Sequence, residues 1–470
     1  MSVTNVFPNY AQFDKMNAHL AQLCINTGGL RKVNNWRDLK DIVRQGNVGE
    51  YFKVGDTFTL NKATDVTATV SGLTSAAVSL PAFIRAVDSA AARSYDFIYS
   101  GAAWHLDNRT VALDAYGITP TGTPTEGAHI VVTVTAKAWD CDILDMDYDT
   151  PVEDRYKHSL SMAIHDCFTY GSIPFCPRQA IFTTAKGLSS GVYHFHCTQQ
   201  PFFPGDQGKD IQFSLMSSVP AGSQFVLNNA YDSTMIGTSL KVYTGPTATT
   251  AAQGLTLSQG SGGTFLGNIT KAGDPENHLN GIQAALLGSN LQKNSAIRQY
   301  FNSDAAGAAN EAVASWWTAQ TEWDRPVIST APGFLYGIEP AFLEAIGRVR
   351  KRTALNTISG GGGYGSYEDT EELIFLMSRT EVFGQANSSV YETSWGTDDT
   401  LKTTPYAFYS GATNADRIKR ENGTTARLWF LRSAYTATAH GVSGVNTNGA
   451  YASFNDAEYT YGGVPAWAIY

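Results

Sequence analysis

Few side chains in this sequence are grouped as chemistry would require. His165-Asp-Cys167, Cys176 and His194-Phe-His196-Cys197 supply enough nitrogen and sulfur for a tetrahedral zinc site, but their spacings match no common zinc module. His194 and His196 share one face of an expected strand with Phe195 opposite, which equally describes an exposed histidine pair. Asp145-Met-Asp-Tyr-Asp149 begins like a calcium loop. Thr150 stands where that loop needs Gly, and Tyr156 where it needs a bidentate Glu, so an acidic turn before a helix over 156–168 is the better reading. Glu371-Glu372 and Asp398-Asp399 lie in polar stretches, whereas glycoside hydrolysis needs carboxyls set about a cleft. No Gly-x-Ser-x-Gly elbow with a strand before it stands out, and no cysteine carries a nucleophile signature. The expectation is a chain without catalytic residues, metal or cofactor.

The segment near the end of the chain is of another kind. Arg427-Leu-Trp-Phe-Leu-Arg-Ser433 opens it and Gly462-Gly-Val-Pro-Ala-Trp-Ala-Ile-Tyr470 closes it. Between these apolar anchors the residues are almost all Tyr, Thr, Ala, Ser, Asn, Gly, Asp and His. Tyr supplies contact area at low entropic cost and Ser, Gly and Asn supply adaptable hydrogen bonds, which is the composition of a binding face.

The elements that must position this face follow from composition and periodicity. A chain of 470 residues implies roughly two to four domains. Charged residues are 16% against about 25% in ordinary globular proteins, and 44 glycines accompany 12% aromatics, which favours β-rich architecture. A net charge of −9 argues against nucleic acid as a partner. Met1–Tyr10 lacks the pattern of a secretory signal, and no run of about eighteen apolar residues offers a membrane span. Five cysteines, an odd number at irregular spacing, make a disulfide scaffold a poor reading and a reducing cytoplasm the simpler site of synthesis.

Helical spacing is expected over 10–26, Trp36–Gln45, 293–302 and 340–351, and the basic run Arg348–Arg352 then falls at a helix C-terminus, a solvated position that suits cations. Short β-prone runs at Val66–Val70, Tyr95–Tyr99, Thr110–Leu113 and His129–Thr135 suggest a small sandwich over 62–137, inserted into a domain made of 1–61 and 138–180. Residues 181–265 read as a second β-sandwich. Gln259–Gly267 reads as a joint, and 268–470 as a mixed α+β domain with a strand at Leu373–Met377. Gly360–Gly363 is a loop without the Gly-Lys-Ser/Thr of a phosphate cradle.

Leu428-Trp-Phe-Leu-Arg-Ser433 and Gly463-Val-Pro-Ala-Trp467 resemble the frame of C-type-lectin-like domains in phage and prophage structural proteins. Ser295–Ser303, Gly333–Gly337, Lys351–Asn356 and Phe375–Phe383 resemble the same family, so the likeness spans about 270–470. Ile42–Gly46, Tyr51–Asp56, Asp147–Pro151, His158–Leu160 and His165-Asp166 are similar to segments of bacteriophage virion proteins, and Trp104–Thr135 resembles their inserted Ig-like modules. In that family the last domain is often diversified by retroelements, whose adenine-directed mutation turns Asn codons into the residue types found between Tyr435 and Tyr461. Val464 departs from the frame, which often has Arg there. The fold also resembles formylglycine-generating enzymes, but no cysteine follows Cys197 to match theirs.

The resemblance thus implies a multidomain, β-rich α+β virion protein: an N-terminal attachment domain with an inserted Ig-like β-sandwich, a second β-sandwich and a C-terminal C-type-lectin-like domain. Its partners would be a bacterial-surface glycan or protein and other virion proteins, with neither nucleic acid nor membrane insertion. It would be a homo-oligomer, a trimer being common in such appendages. The expected ligand face is Tyr435, Thr438, His440, Tyr451, Asn455, Asp456, Tyr459 and Tyr461, with Trp429, Arg432 and Trp467 as scaffold. A capsid-decorating or tail protein with subunit contacts in this place, and an enzyme acting on cell-wall glycans, are the alternatives.

Overall fold

In the computed structural model the described residues are 33–167, 175, 179–183, 186–196, 210–228, 239–244, 253–256, 258–259, 269–271, 292, 295–304, 306, 332–354, 367–384, 404–435, 441–457 and 459–470. The expected helix over 10–26 and the Gly360–Gly363 loop lie outside them.

The first part runs α1 (Trp36–Arg44), α2 (Val48–Tyr51), β1 (Thr57–Ser71), β2 (Ser75–Val78), α3 (Leu80–Val87), β3 (Arg93–Ser100), β4 (Ala103–Leu106), β5 (Arg109–Val111), β6 (Ile118–Thr121), β7 (His129–Met146) and β8 (Leu160–Ile164). Helix α1 starts where the Asn35 side chain accepts the Asp38 N–H at 2.9 Å. It buries Trp36, Leu39, Ile42 and Val43, one apolar stripe at helical spacing. Past its end Gly46 has φ +73°, and a Cβ there would lie 2.7 Å from the His158 ring, so only glycine makes this turn without displacement.

Strands β1 and β7 form a long antiparallel ribbon from Thr57↔Asp142 to Ser71↔His129, with one register shift between Ala63 and Asp65. Leu60, Cys141 and Ile143 on one side of the shift enter the larger buried cluster. Ala63, at the shift itself, and Ile130, Val132 and Val134 beyond it enter a second cluster with Phe83, Tyr95, Phe97 and Ile118. The ribbon is therefore continuous while the packing changes core along it. The second cluster is not built of strands alone. Helix α3, with Pro81 in its first turn, brings Phe83 and Ile84 onto the sheet β5-β4-β3-β7, and β2 pairs with β6.

Strand β8 corrects the expected helix over 156–168: Leu160–Ile164 is strand, and all five residues are buried. A strand buried on both faces has no period-two alternation, so its apolar run can be read as helix as easily as strand.

In the middle of the chain are β9 (Gln179–Thr183), β10 (Gly191–His196), β11 (Asp210–Leu215), β12 (Gln224–Asn228), β13 (Ser239–Tyr243), β14 (Gln253–Thr256), β15 (Ser258–Gln259) and β16 (Ile269–Lys271). They form two four-stranded antiparallel sheets, β15-β11-β10-β16 and β14-β13-β12-β9.

The last part runs α4 (Ala296–Phe301), α5 (Pro340–Ala345), β17 (Ile346–Gly347), β18 (Val349–Ala354), β19 (Tyr367–Glu372), β20 (Ile374–Phe375), α6 (Arg379–Phe383), β21 (Lys419–Glu421), β22 (Thr425–Arg427), β23 (Trp429–Ala434), β24 (Gly441–Val445), β25 (Tyr451–Asp456) and β26 (Ala466–Ile469). Helix α5 stops six residues short of expectation. Gly347 lies against the Tyr470 ring, and the chain enters β17 and β18. The basic run is consequently on a strand, where alternation divides it. Arg350 and Arg352 face Glu371 and Asp369 of β19, with Arg352 Nε 2.8 Å from Asp369, while Lys351 is buried.

The closing strand β26 pairs with β8 on one side and with β17 and β20 on the other, so it lies inside the main sheet. The sequence division between 1–61 with 138–180 and 268–470 therefore does not coincide with a division of the core: Trp36, Phe342 and Trp467 touch edge to face at centroid distances of 5.0–6.3 Å. Apolar periodicity marks which faces are buried but not which distant strand covers them. The architecture is mostly β-sheet, in several sheets with few helices. Among the described residues no helix is long and apolar enough to cross a membrane.

Candidate ligand-binding surface

The platform for the C-terminal surface is the antiparallel sheet β23-β24-β25. All six residues of β23 are buried, so the strand carries no solvent face. Trp429 donates its indole N–H to the Arg417 carbonyl at 3.1 Å. Arg432 donates through both terminal nitrogens to Glu381, Nη1–Oε2 2.5 Å and Nη2–Oε1 3.0 Å, and through Nη1 to the Leu376 carbonyl at 3.1 Å. Trp429, Arg432 and Trp467 are thus buried framework.

Glu381 also belongs to a capping box: its carboxylate accepts the Ser378 N–H at 2.7 Å, while Ser378 Oγ accepts the Glu381 N–H at 3.1 Å. Lys351 Nζ completes the network, donating to Glu381 at 2.8 Å, Asp149 at 2.5 Å and Tyr406 at 2.9 Å. Two cations therefore meet two carboxylates, and the buried charge sums to zero. Tyr406 and Ser161 hydroxyls donate to Asp149 at 3.0 and 2.9 Å, so that carboxylate is held from three elements. Burial alone would raise the Glu381 pKa, but Arg432 and Lys351 outweigh it and hold the group down at about 2. Burial, with Asp149 and Glu381 close by, pushes the Tyr406 phenol well up, so it remains a donor.

Above this framework the expected ligand residues separate. Tyr459 is 45% exposed and its ring meets the half-buried Tyr461 edge to face at 5.4 Å. Tyr461 in turn rests on Phe430 at 5.4 Å, which contacts Phe175 at 5.5 Å. Two tyrosines are thus supported from below by buried aromatics. Asp456 is half-buried, and its carbonyl accepts the Tyr459 N–H at 3.1 Å in the turn joining them. Tyr461 has its phenol pKa raised by burial, Tyr459 and Asp456, which keeps its hydroxyl protonated.

Tyr451 and Tyr435 are half-buried at the sheet's margin. The Tyr451 hydroxyl lies 3.0 Å from Ser443 Oγ and its ring packs on Phe383 at 5.4 Å. Tyr435 donates its N–H to the Gly441 carbonyl at 2.8 Å. Asn455 is a correction. It is 7% exposed and donates its amide to the Val442 carbonyl at 3.2 Å, which makes it a strut of the sheet rather than part of its face. Composition cannot separate a polar residue bonded to its neighbouring strand from one facing water. Thr438 and His440 lie outside the described residues. Nothing local singles out the supports Phe383, Phe430 and Ser443 in the sequence; Phe430 stands between Trp429 and Leu431 in an unbroken apolar run that marks burial but not which side chain carries the tyrosines.

Within the described residues, the acidic run and two of the cysteines have structural surroundings. Asp145 accepts the Ala407 N–H at 2.7 Å and Asp147 the Ser159 N–H at 2.9 Å, so the acidic run pins loops and no helix follows it. Cys141 and Cys167 are free and buried. Burial, then Asp166 and Glu421, raises the Cys167 thiol to about 12, far from a nucleophile's range. Cys176, Cys197 and the side chains of His194 and His196 lie outside the described residues. Among the described residues no three His, Cys, Asp or Glu side chains group closely enough to hold a metal ion.

A family model described as a domain of unknown function (DUF6273) matches residues 282–469, a span that includes α4 and β17 to β26. No curated protein and no solved structure matches the chain.

Proposed function

We propose that this chain is a bacteriophage virion protein that binds a bacterial-surface glycan or protein through the surface around Tyr459 and Tyr461. The observation that carries the reading is the pairing of an exposed tyrosine with a rigid foundation: Tyr459 on Tyr461, Tyr461 on Phe430, and Phe430 on a strand locked by Arg432 and Glu381. Rigid aromatic anchors give contact area at low entropic cost, and a preorganised base reduces what ordering costs on binding.

In this reading the C-terminal part has a C-type-lectin-like fold, the cluster around Phe83 and Phe97 is an Ig-like spacer and the middle sheets are a second sandwich. The protein resides in the virion, joins other virion proteins and assembles as a homo-oligomer. Several copies per particle would multiply a modest single-site affinity. The chain carries no catalytic chemistry in this role. Residues 435–461 would be the diversified segment, with Asn455 held constant in effect by its hydrogen bond to Val442.

The test is surface chemistry on assembled particles. Tyrosine iodination of intact particles should label Tyr459, and prior incubation with host envelope material should protect it. A Tyr459 already shielded on the free particle overturns the reading in favour of a subunit contact.

A further inference from the structure

A recess lies beside β7 and the end of β8, with Asn422 of the β21–β22 hairpin in its lining. It has a volume of about 330 Å³ and is lined by Lys137, Ala138, Trp139, Asp140, Ile164, His165, Asp166 and Asn422. That is the small end of the size range of ligand pockets.

Its histidine is held in a specific orientation. His165 is 61% exposed, yet its Nδ1 lies 2.8 Å from Oδ1 of Asp142, a side chain only 2% exposed. The other Asp142 oxygen is held by the buried Lys419 at 3.1 Å. A buried carboxylate bound to Nδ1 fixes the ring and leaves Nε2 to the recess. The Asp142 hydrogen bond also raises the His165 pKa, against a smaller opposing effect of burial, which favours Nε2 as a donor. Across the recess Lys137 Nζ donates to Asn422 Oδ1 at 2.9 Å, which orients the amide in the hairpin turn.

The wall is mixed in sign. Asp140 and Asp166 disfavour an anion, while Lys137 and a protonated His165 disfavour a cation. Among the described residues no metal-binding group forms. What these groups can satisfy together is a molecule whose polar groups both donate and accept, with a small apolar side, and hydroxyls have that property. We propose that the recess binds a single neutral sugar ring, with Asp140, Asp166, Asn422 and His165 Nε2 bonding its hydroxyls and the partly exposed Trp139 forming its apolar wall. The lining of this recess shares no residue with the tyrosine surface.

Saturation-transfer NMR on the full chain tests this with methyl glucoside, N-acetylglucosamine and rhamnose, against glucuronate and glucosamine as charged comparators. At least one neutral sugar should receive transfer and shift the His165 ring resonance, which is identified by its absence in H165Q. H165Q and the shape-conserving D140N/D166N should each weaken that binding about tenfold, as loss of a charge-assisted hydrogen bond does. The variant Y459A/Y461A should leave it unchanged, so this site can fail or stand independently of the other. No transfer to any neutral sugar, undiminished transfer in both recess variants with dispersed native spectra, or tighter binding of a charged comparator overturns the proposal.

Discussion

Arg432, on β23 of the Tyr-bearing sheet, and Glu381, on α6, face one another as a two-pronged ion pair with both side chains out of solvent. The Glu381 carboxylate is shared with Lys351 and with the first turn of α6, so a single group joins β18, α6 and β23. Replacing such a network by apolar residues can be neutral, but removing one member leaves the rest uncompensated.

Glu381→Ala should therefore destabilise the chain by about 3–5 kcal/mol, the range for breaking a buried pair from one side. Urea unfolding followed by tryptophan fluorescence measures it. A loss below about 1 kcal/mol, typical of a solvated surface pair, would contradict the burial of this pair.

The same carboxyl gives the stability a specific acid dependence. Its folded pKa, about 2, lies below the ordinary 4.5, so the unfolded chain binds the proton more readily. The stabilisation is complete above about 4.5 and is lost as pH falls toward 2. The stability gap between the native chain and Glu381→Gln should narrow from pH 6 to pH 3; a constant gap would show that Glu381 does not titrate in this way.

Lys62 is expected to act in the opposite pH range. Its amine, donating to the Gly333 and Phe334 carbonyls at 2.9 and 2.6 Å, is pushed by burial from 10.5 down to about 7. Between those values the unfolded chain binds a proton that the folded chain does not, so stability rises with pH through that window. Unfolding curves from pH 6 to 10 should show this rise in the native chain and lack it in Lys62→Met.

Gly449 turns the chain between β24 and β25 with φ +78°, and a Cβ there would lie 1.6 Å from the Asn414 carbonyl oxygen. No side-chain rotation relieves a clash with backbone. Gly449→Ala should destabilise by about 1–3 kcal/mol, as overpacking does, and displace the strand that begins at Tyr451. Amide exchange in β24 and β25 should accelerate, whereas in β1 and β7 it should change only through the global loss; unchanged exchange throughout would refute the contact.

What the sequence discloses depends on how local the cause is. The stripe Trp36, Leu39, Ile42, Val43 with its Asn35 cap is legible because every signal lies within ten residues. Leu160–Ile164 is not, because its partners are β7 before it and β26 some three hundred residues later. Lys351 has the same difficulty: within Arg348–Arg352 it looks like a solvated charge, and only its distant partners Asp149 and Glu381 explain its burial. At the surface, tyrosine content is legible, but Asn455 is bonded inward by register across β24 and β25, while Tyr459 stands exposed in the turn after β25.

If Tyr459 and Tyr461 form a binding surface, adsorption of whole particles to host cells depends on them. Tyr451 is left intact because its hydroxyl contacts Ser443 and its ring packs on Phe383. Particles carrying Y459A/Y461A should adsorb to host cells at least about tenfold more weakly, as loss of aromatic anchors implies, while the purified variant unfolds cooperatively with its buried ion-pair network intact. Adsorption equal to that of native particles, with the variant folded, would contradict the account.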